Sequence, residues 1–207
     1  MADFWNSLLT EKSWNILIRI SKEPFKFIII GGWATYLWTK QHKSKDIDIA
    51  LKDIKEIDYL ENNYNLKKND NLKKYEIVFD NIDLDIYVPY FSKLSIPIED
   101  LNEFSTKIEG FTVLKPEALA ILKQGAELDR RSSVKGTKDA IDIISLLFFT
   151  DFDFKSYYDL LKKYNLRNYA KELKNIVTEF KDYNIINFTP RQLKSKKKEI
   201  LNKINSE

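Results

Sequence analysis

Two segments of this chain alternate carboxylates with aliphatic side chains: Asp46-Ile47-Asp48-Ile49 and Ile82-Asp83-Leu84-Asp85-Ile86. On a strand, residues two apart share a face, so each segment projects its acids together and turns its aliphatics into a core. Like charges side by side resist ionisation unless something positive lies between them. Carboxylates on neighbouring strands could together hold one or two Mg2+ ions in an octahedral oxygen shell. The candidate ligands are Asp46 and Asp48 from the first segment and Asp83 or Asp85 from the second. A lone Asp-x-Asp is more often the wet face of an edge strand. Here, however, Gly31-Gly32 follows the aliphatic run Phe25 to Ile30 and opens a helical pattern. Glycines at such a point let backbone N–H groups approach phosphate oxygens, and a helix N-terminus favours their charge.

Composition narrows the chemistry further. The chain has no cysteine, which excludes disulfides, thiolate metal sites and a cysteine nucleophile. His42 is the single histidine, so a multi-histidine site within one chain is excluded. A catalytic metal must then be held mainly by oxygen, which favours Mg2+ or Mn2+ over zinc. The net charge of +3 is too small to argue for nucleic acid by itself, but Lys194, Lys196, Lys197, Lys198 and Lys203 gather in one segment. A lysine run on a helix is more often a solvated face than a binding site. No apolar run approaches the roughly 20 residues that span a bilayer. Asp3 and Glu11 interrupt the start of the chain, which does not read as a signal peptide. The expected location is cytoplasmic, with no membrane partner.

Several elements must position these residues. Helical spacing predicts a first helix over residues 4–20, a strand over 25–30, a helix over 33–39 and a half-buried strand over 46–51. A helix over 53–64 follows, then strands 75–79 and 82–88 joined at Asp80-Asn81, a tight hairpin signal. A short helical piece at 97–104 and a strand at 111–114 complete an α/β (α+β) half, residues 1–114, with a mixed sheet of roughly four or five strands. Helices at 116–129, 137–149, 154–164, 166–181 and 190–204 make a helical half, residues 115–207. That half is expected to complete the cleft. Trp33, Tyr36 and Trp38 read as core packing rather than as a base-stacking surface.

The order of strand, Gly-Gly, helix, Asp-x-Asp strand and second acidic strand resembles the DNA polymerase β-type nucleotidyltransferase superfamily. Its signature is an apolar residue with Gly-Gly or Gly-Ser, a spacer of about a dozen residues, Asp-x-Asp/Glu, and a later Asp on a strand. These correspond to Ile30-Gly31-Gly32, Asp46-Ile47-Asp48 and Asp85. The stretch Lys115-Pro116-Glu117-Ala118-Leu119-Ala120-Ile121-Leu122-Lys123, with Arg130, Arg131 and Lys138-Asp139-Ala140-Ile141-Asp142, is similar to the AbiEii-like branch of small prokaryotic enzymes. Some members of that branch are toxins of toxin–antitoxin systems. The likeness covers about residues 27–149. Gly32 stands where many members have Ser, and His42 where many have Arg, while Ser44 keeps a hydroxyl ahead of Asp46.

The resemblance implies transfer of a nucleoside monophosphate from an NTP to a hydroxyl by metal-dependent in-line displacement. Asp46, Asp48 and Asp85 would be the catalytic and metal-holding set. Gly31, Gly32, Ser44, Lys123, Arg130 and Lys138 would contact the nucleotide, although Lys123 could equally be a solvated residue on a core helix and Lys138 with Asp142 a routine surface pair. The acceptor is an RNA or tRNA end, a protein or a small molecule, and a partner would be an antitoxin or a second copy. The alternative is a catalytically inactive nucleotide-binding or partner-binding module of the same fold.

Overall fold

A computed structural model describes residues 7–206; the portion of the expected first helix at residues 4–6 lies outside them. The chain forms two compact units, Met1–Lys115 and Pro116–Glu207.

The first unit is built on a seven-stranded sheet. Its strands are β1 (Phe27–Ile30), β2 (Ile47–Leu51), β3 (Lys67–Asn69), β4 (Lys74–Phe79), β5 (Ile82–Tyr87), β6 (Ser105–Ile108) and β7 (Phe111–Leu114). They lie in the order β3-β4-β5-β2-β1-β7-β6. The sheet is mixed: β1 runs antiparallel to β2 and parallel to β7, while β2 runs parallel to β5. The central strands are aliphatic, and Ile28, Ile29, Ile47, Ile49, Ile82, Leu84 and Ile86 are buried. The expected sheet was two strands smaller. The additions, β3 and β6, are the polar outermost strands, each with one neighbour. The expected strand 46–51 begins one residue later, which leaves Asp46 in a bend.

Helices α1 (Ser7–Ile20), α2 (Gly31–Thr39) and α3 (Glu56–Asn63) complete this unit, with a 3-10 helix at Ile98–Phe104. An aromatic cluster fixes α2. Trp33 is fully buried and donates its Nε1 proton to Ser13 Oγ on α1 at 2.7 Å. Its ring lies 5.0 Å from that of Trp14, which also meets Tyr36 and Phe111. Trp38 donates to the Leu114 carbonyl at 2.8 Å, tying the helix to β7. The three aromatics after the glycines are therefore packing residues, as their spacing suggests.

The second unit is helical: α4 (Pro116–Arg130), α5 (Val134–Phe149), α6 (Phe154–Lys163), α7 (Tyr169–Glu179) and α8 (Pro190–Ser206). Pro116 and Pro190 open their helices, where the missing N–H costs nothing. Buried Gln124 on α4 accepts from the Tyr157 hydroxyl at 2.6 Å and donates to the Tyr169 carbonyl at 2.9 Å, joining α4 to α6 and α7. Lys197 of α8 donates to the carbonyls of Thr178 and Phe180 at the end of α7. Thus the apolar stripes of α6 and α7 (Tyr157, Leu160, Leu161, Leu173, Ile176, Val177) are buried within this unit. No helix among the described residues is long and apolar enough to cross a membrane.

The α4–α5 turn is tight. The Ser133 side chain accepts from the Gly136 N–H at 3.0 Å, capping α5 three residues ahead of its expected start. A Cβ on Gly136 would stand 2.2 Å from the Arg130 carbonyl oxygen, which is backbone and cannot swing aside. Gly136→Ala should therefore destabilise the protein by about 1–3 kcal/mol, read by urea unfolding. The neighbouring exposed Lys135→Ala should stay within about 0.5 kcal/mol of the parent.

Candidate active site

Strand register brings the acidic residues of distant segments into one row. Ile30 of β1 pairs with Asp48 of β2, Asp48 with Asp85 of β5, and Asp85 with Glu76 of β4. Adjacent strands lie about 4.8 Å apart, so Asp48 and Asp85 are lateral neighbours. Asp83 pairs with Val78, two places along the strand, and is exposed. Ile30 sits at the end of this row, and α2 begins at the next residue.

Gly31 has φ of +64°, a left-handed conformation that favours glycine. A Cβ there would stand 2.1 Å from Asp48 Oδ2. Hence the Asp48 carboxylate lies directly over the start of α2, where the helix N-terminus favours negative charge. Gly32 is buried in the first turn, and Ser44 is buried in the loop that leads to β2. Asp46 is half-buried, and its Oδ1 is buried with no hydrogen-bond partner.

Asp85 meets a cation. Lys74 Nζ lies 2.6 Å from Asp85 Oδ2 and 3.0 Å from Glu76 Oε1, with the Lys74 side chain only 12% exposed. Burial, followed by the charge of Asp48, pushes the Asp85 carboxyl up to about 6, against the opposing pull of Lys74. Burial works against the Lys74 ammonium, but Asp85 and Glu76 outweigh it and raise its pKa. At neutral pH the two are therefore an ion pair.

The donor set suits a hard divalent cation. It offers carboxylate oxygens, two of them crowded side by side and one buried without a partner, a costly state that a cation would relieve. The resemblance assigns such an ion to Asp46, Asp48 and Asp85. Among the described residues, no three acidic or imidazole side chains are gathered into a ready-made cage, and one oxygen of Asp85 is engaged by Lys74.

The remaining sequence-predicted positions lie in the helical unit. Lys123 is buried and bridges Asp139 at 3.1 Å and Asp142 at 2.6 Å. Arg130 takes the other Asp139 oxygen at 2.7 Å. Arg131 is held by Glu127 and Glu172, and Lys138 is half-buried on α5. The two acids of Lys138-Asp139-Ala140-Ile141-Asp142 thus face the α4 cations. In the first unit, Lys43 is paired with Glu11. Sequence reasoning missed Lys74 and Glu76. Their spacing of two places both on one face of a strand, but only the register of β4 against β5 sets them beside Asp85.

No protein-family model matches the chain, and no curated protein matches it in sequence. Solved structures do match its fold. JHP933 from Helicobacter pylori superposes with a TM-score of 0.51 at 16% identity, covering 96% of this chain and 93% of that one. A candidate nucleotidyltransferase from H. pylori gives 0.50 at 16% identity, covering 97% and 96%. ANT(2")-Ia, crystallised with adenylyl-2"-tobramycin, gives 0.49 at 14% identity, covering 78% and 99%. The chain has the nucleotidyltransferase fold. Within that fold, the row Asp48–Asp85 stands at the glycine turn where β1 passes into α2.

Two predictions follow from the charges. Between its ordinary 3.8 and about 6, folded Asp85 binds a proton that the unfolded chain has lost. Its contribution to stability therefore falls as pH rises through that window and is level above it. Carbon-13 NMR of the side-chain carboxyl should show a midpoint near about 6, moved down in Asp48→Asn; a wild-type midpoint at the ordinary value would refute the crowding. Separately, Lys123→Met leaves two carboxylates that are each 2% exposed without their shared cation. It should cost about 3–5 kcal/mol by denaturant unfolding, and less in an Asp142→Asn background.

Proposed function

We propose that this protein is a nucleotidyltransferase that moves a nucleoside monophosphate from an NTP to a hydroxyl acceptor. The observation that carries this reading is the in-register pair Asp48–Asp85 at the glycine turn that opens α2. In the proposed reaction the acceptor oxygen forms a bond to the α-phosphorus, the bond to the β-phosphate breaks, and pyrophosphate leaves. Asp85 takes the hydroxyl proton, a role suited to a carboxyl already pushed up to about 6. Backbone N–H groups at Gly31 and Gly32, in the first turn of α2, receive phosphate oxygens. Asp46, Asp48 and Asp85 would hold Mg2+ or Mn2+, which when bound supplies Lewis-acid stabilisation of the phosphoryl oxygens and lowers the pKa of the attacking hydroxyl.

The reading extends to the AbiEii-like branch, and with it to a toxin paired with an antitoxin. Its support is the matching stretch from Lys115 to Lys123, Arg130 at the end of α4, and Lys138 to Asp142 on α5. On this reading Ser44 contacts the nucleotide, and the acceptor hydroxyl belongs to an RNA end, a protein or a small molecule.

Incubation with each of the four labelled NTPs, Mg2+ and cell RNA or lysate should yield one labelled acceptor. Asp48→Asn should abolish the label while circular dichroism stays unchanged. Asp85→Asn should slow transfer by at least about a hundredfold, the usual worth of a positioned base. Full transfer by Asp48→Asn would sink the reading. Transfer that survives Asp85→Asn but not Asp83→Asn would move the third carboxylate to Asp83.

A further inference from the structure

Neither the glycine turn nor the carboxylate pattern accounts for Lys74 beside the acidic row. Lys74 begins β4, just after a turn in which Lys73 takes φ of +51°. That turn returns the chain from the edge strand β3, with Asn69 paired to Lys74. Asn69 Nδ2 in turn donates to Glu76 Oε1 at 3.2 Å. Glu76 is thereby placed to hold the ammonium from one side while Asp85 holds it from the other. The contact to Asp85 is the shorter, 2.6 Å against 3.0 Å, and the Asp85 side chain is the less exposed of the two acids, 17% against 30%.

We propose that Lys74 is a tethered, exchangeable counter-cation that neutralises Asp85 and sets how tightly the Asp48–Asp85 pair takes up a divalent ion. This inference rests on the proposed reading of that pair as a cation site. The ammonium engages Asp85 Oδ2, and two cations on one carboxylate repel each other. An ion arriving at Asp85 therefore loosens Lys74 from it. Glu76 keeps the ammonium close, because that contact belongs to the same strand two residues away. Before the ion arrives, Lys74 limits the repulsion between Asp48 and Asp85. Once displaced, it is a positive group beside the place where phosphate charge arrives.

The test reads binding, not turnover. Mn2+ uptake by the ligand-free full chain is followed from the EPR signal of the free ion, in wild type, Lys74→Met and Lys74→Arg. Lys74→Met should bind Mn2+ about tenfold more tightly than wild type, and Lys74→Arg should not. Folding of each variant is checked by circular dichroism. A folded Lys74→Met with equal or weaker Mn2+ binding overturns the proposal. In the unmodified protein, acylation of Lys74 by acetic anhydride, quantified by mass spectrometry, should quicken when Mg2+ is added. This arm decides the matter if Lys74→Met does not fold, and an unchanged rate at saturating Mg2+ overturns the proposal. Equal Mn2+ binding by wild type and Lys74→Met removes the role of Lys74 alone. Absence of binding in both removes the metal reading of Asp48 and Asp85 along with it.

Discussion

Two carboxylates held side by side in the middle of a sheet constrain most of what surrounds them. The register of β2 against β5 places Asp48 beside Asp85, and neither strand can slip without turning its aliphatic residues out of the core. The burial of Ile47, Ile49, Leu84 and Ile86 therefore forces the acids together. Their repulsion has to be met locally. On one side Asp48 lies over the start of α2, at a glycine whose missing Cβ leaves room for the carboxylate. On the other side Asp85 takes the ammonium of Lys74. Core packing thus fixes the geometry, and polar groups at both ends of the row make it tolerable.

The same logic explains why so much aromatic mass sits behind the glycine turn. A helix N-terminus can serve as an anion site only if it is held in place. Trp33, two residues after Gly31, is buried, hydrogen-bonded to Ser13 and packed on Trp14. One turn further on, Trp38 is bonded to the Leu114 carbonyl. These contacts tie α2 to α1 and β7, elements outside the acidic row.

The central strands were legible in the sequence because each is an aliphatic run or an acid–aliphatic alternation, and Gly31-Gly32 and Asp80-Asn81 punctuate them. The helices of the second unit were legible from spacing, with Pro116 and Pro190 marking two starts. The edge strands were not. Lys67–Asn69 is wholly polar, and Ser105–Ile108 carries a single aliphatic, as befits strands with one neighbour and much exposure. Within the site, the acids could be read because a strand's period of two is written along the chain. Lys74 could not, because its pairing depends on register between strands, and in a lysine-rich segment nothing marks it out from Lys67, Lys68 or Lys73.

Charge balance separates what the sequence suggested from what the structure adds. The resemblance implies that Lys123, Arg130 and Lys138 of the helical half contact the nucleotide. In the structure each unit has a compensating network of its own. Lys74 serves Asp85 and Glu76 in the sheet. In the helical unit Lys123 serves Asp139 and Asp142, while Arg130 adds a second contact to Asp139. A buried cation between two buried carboxylates is poorly placed to leave them, since the unpaired acids would remain in a low-dielectric surrounding. Arg130, whose side chain is 42% exposed, faces a smaller penalty for leaving Asp139, which keeps Lys123. Lys74 faces the smallest penalty where a divalent ion is the displacing group, because the incoming charge takes over the neutralisation of Asp85 at the moment the ammonium is released. Among these paired cations, ease of release should therefore follow how readily the abandoned carboxylate is neutralised again, rather than distance along the sequence.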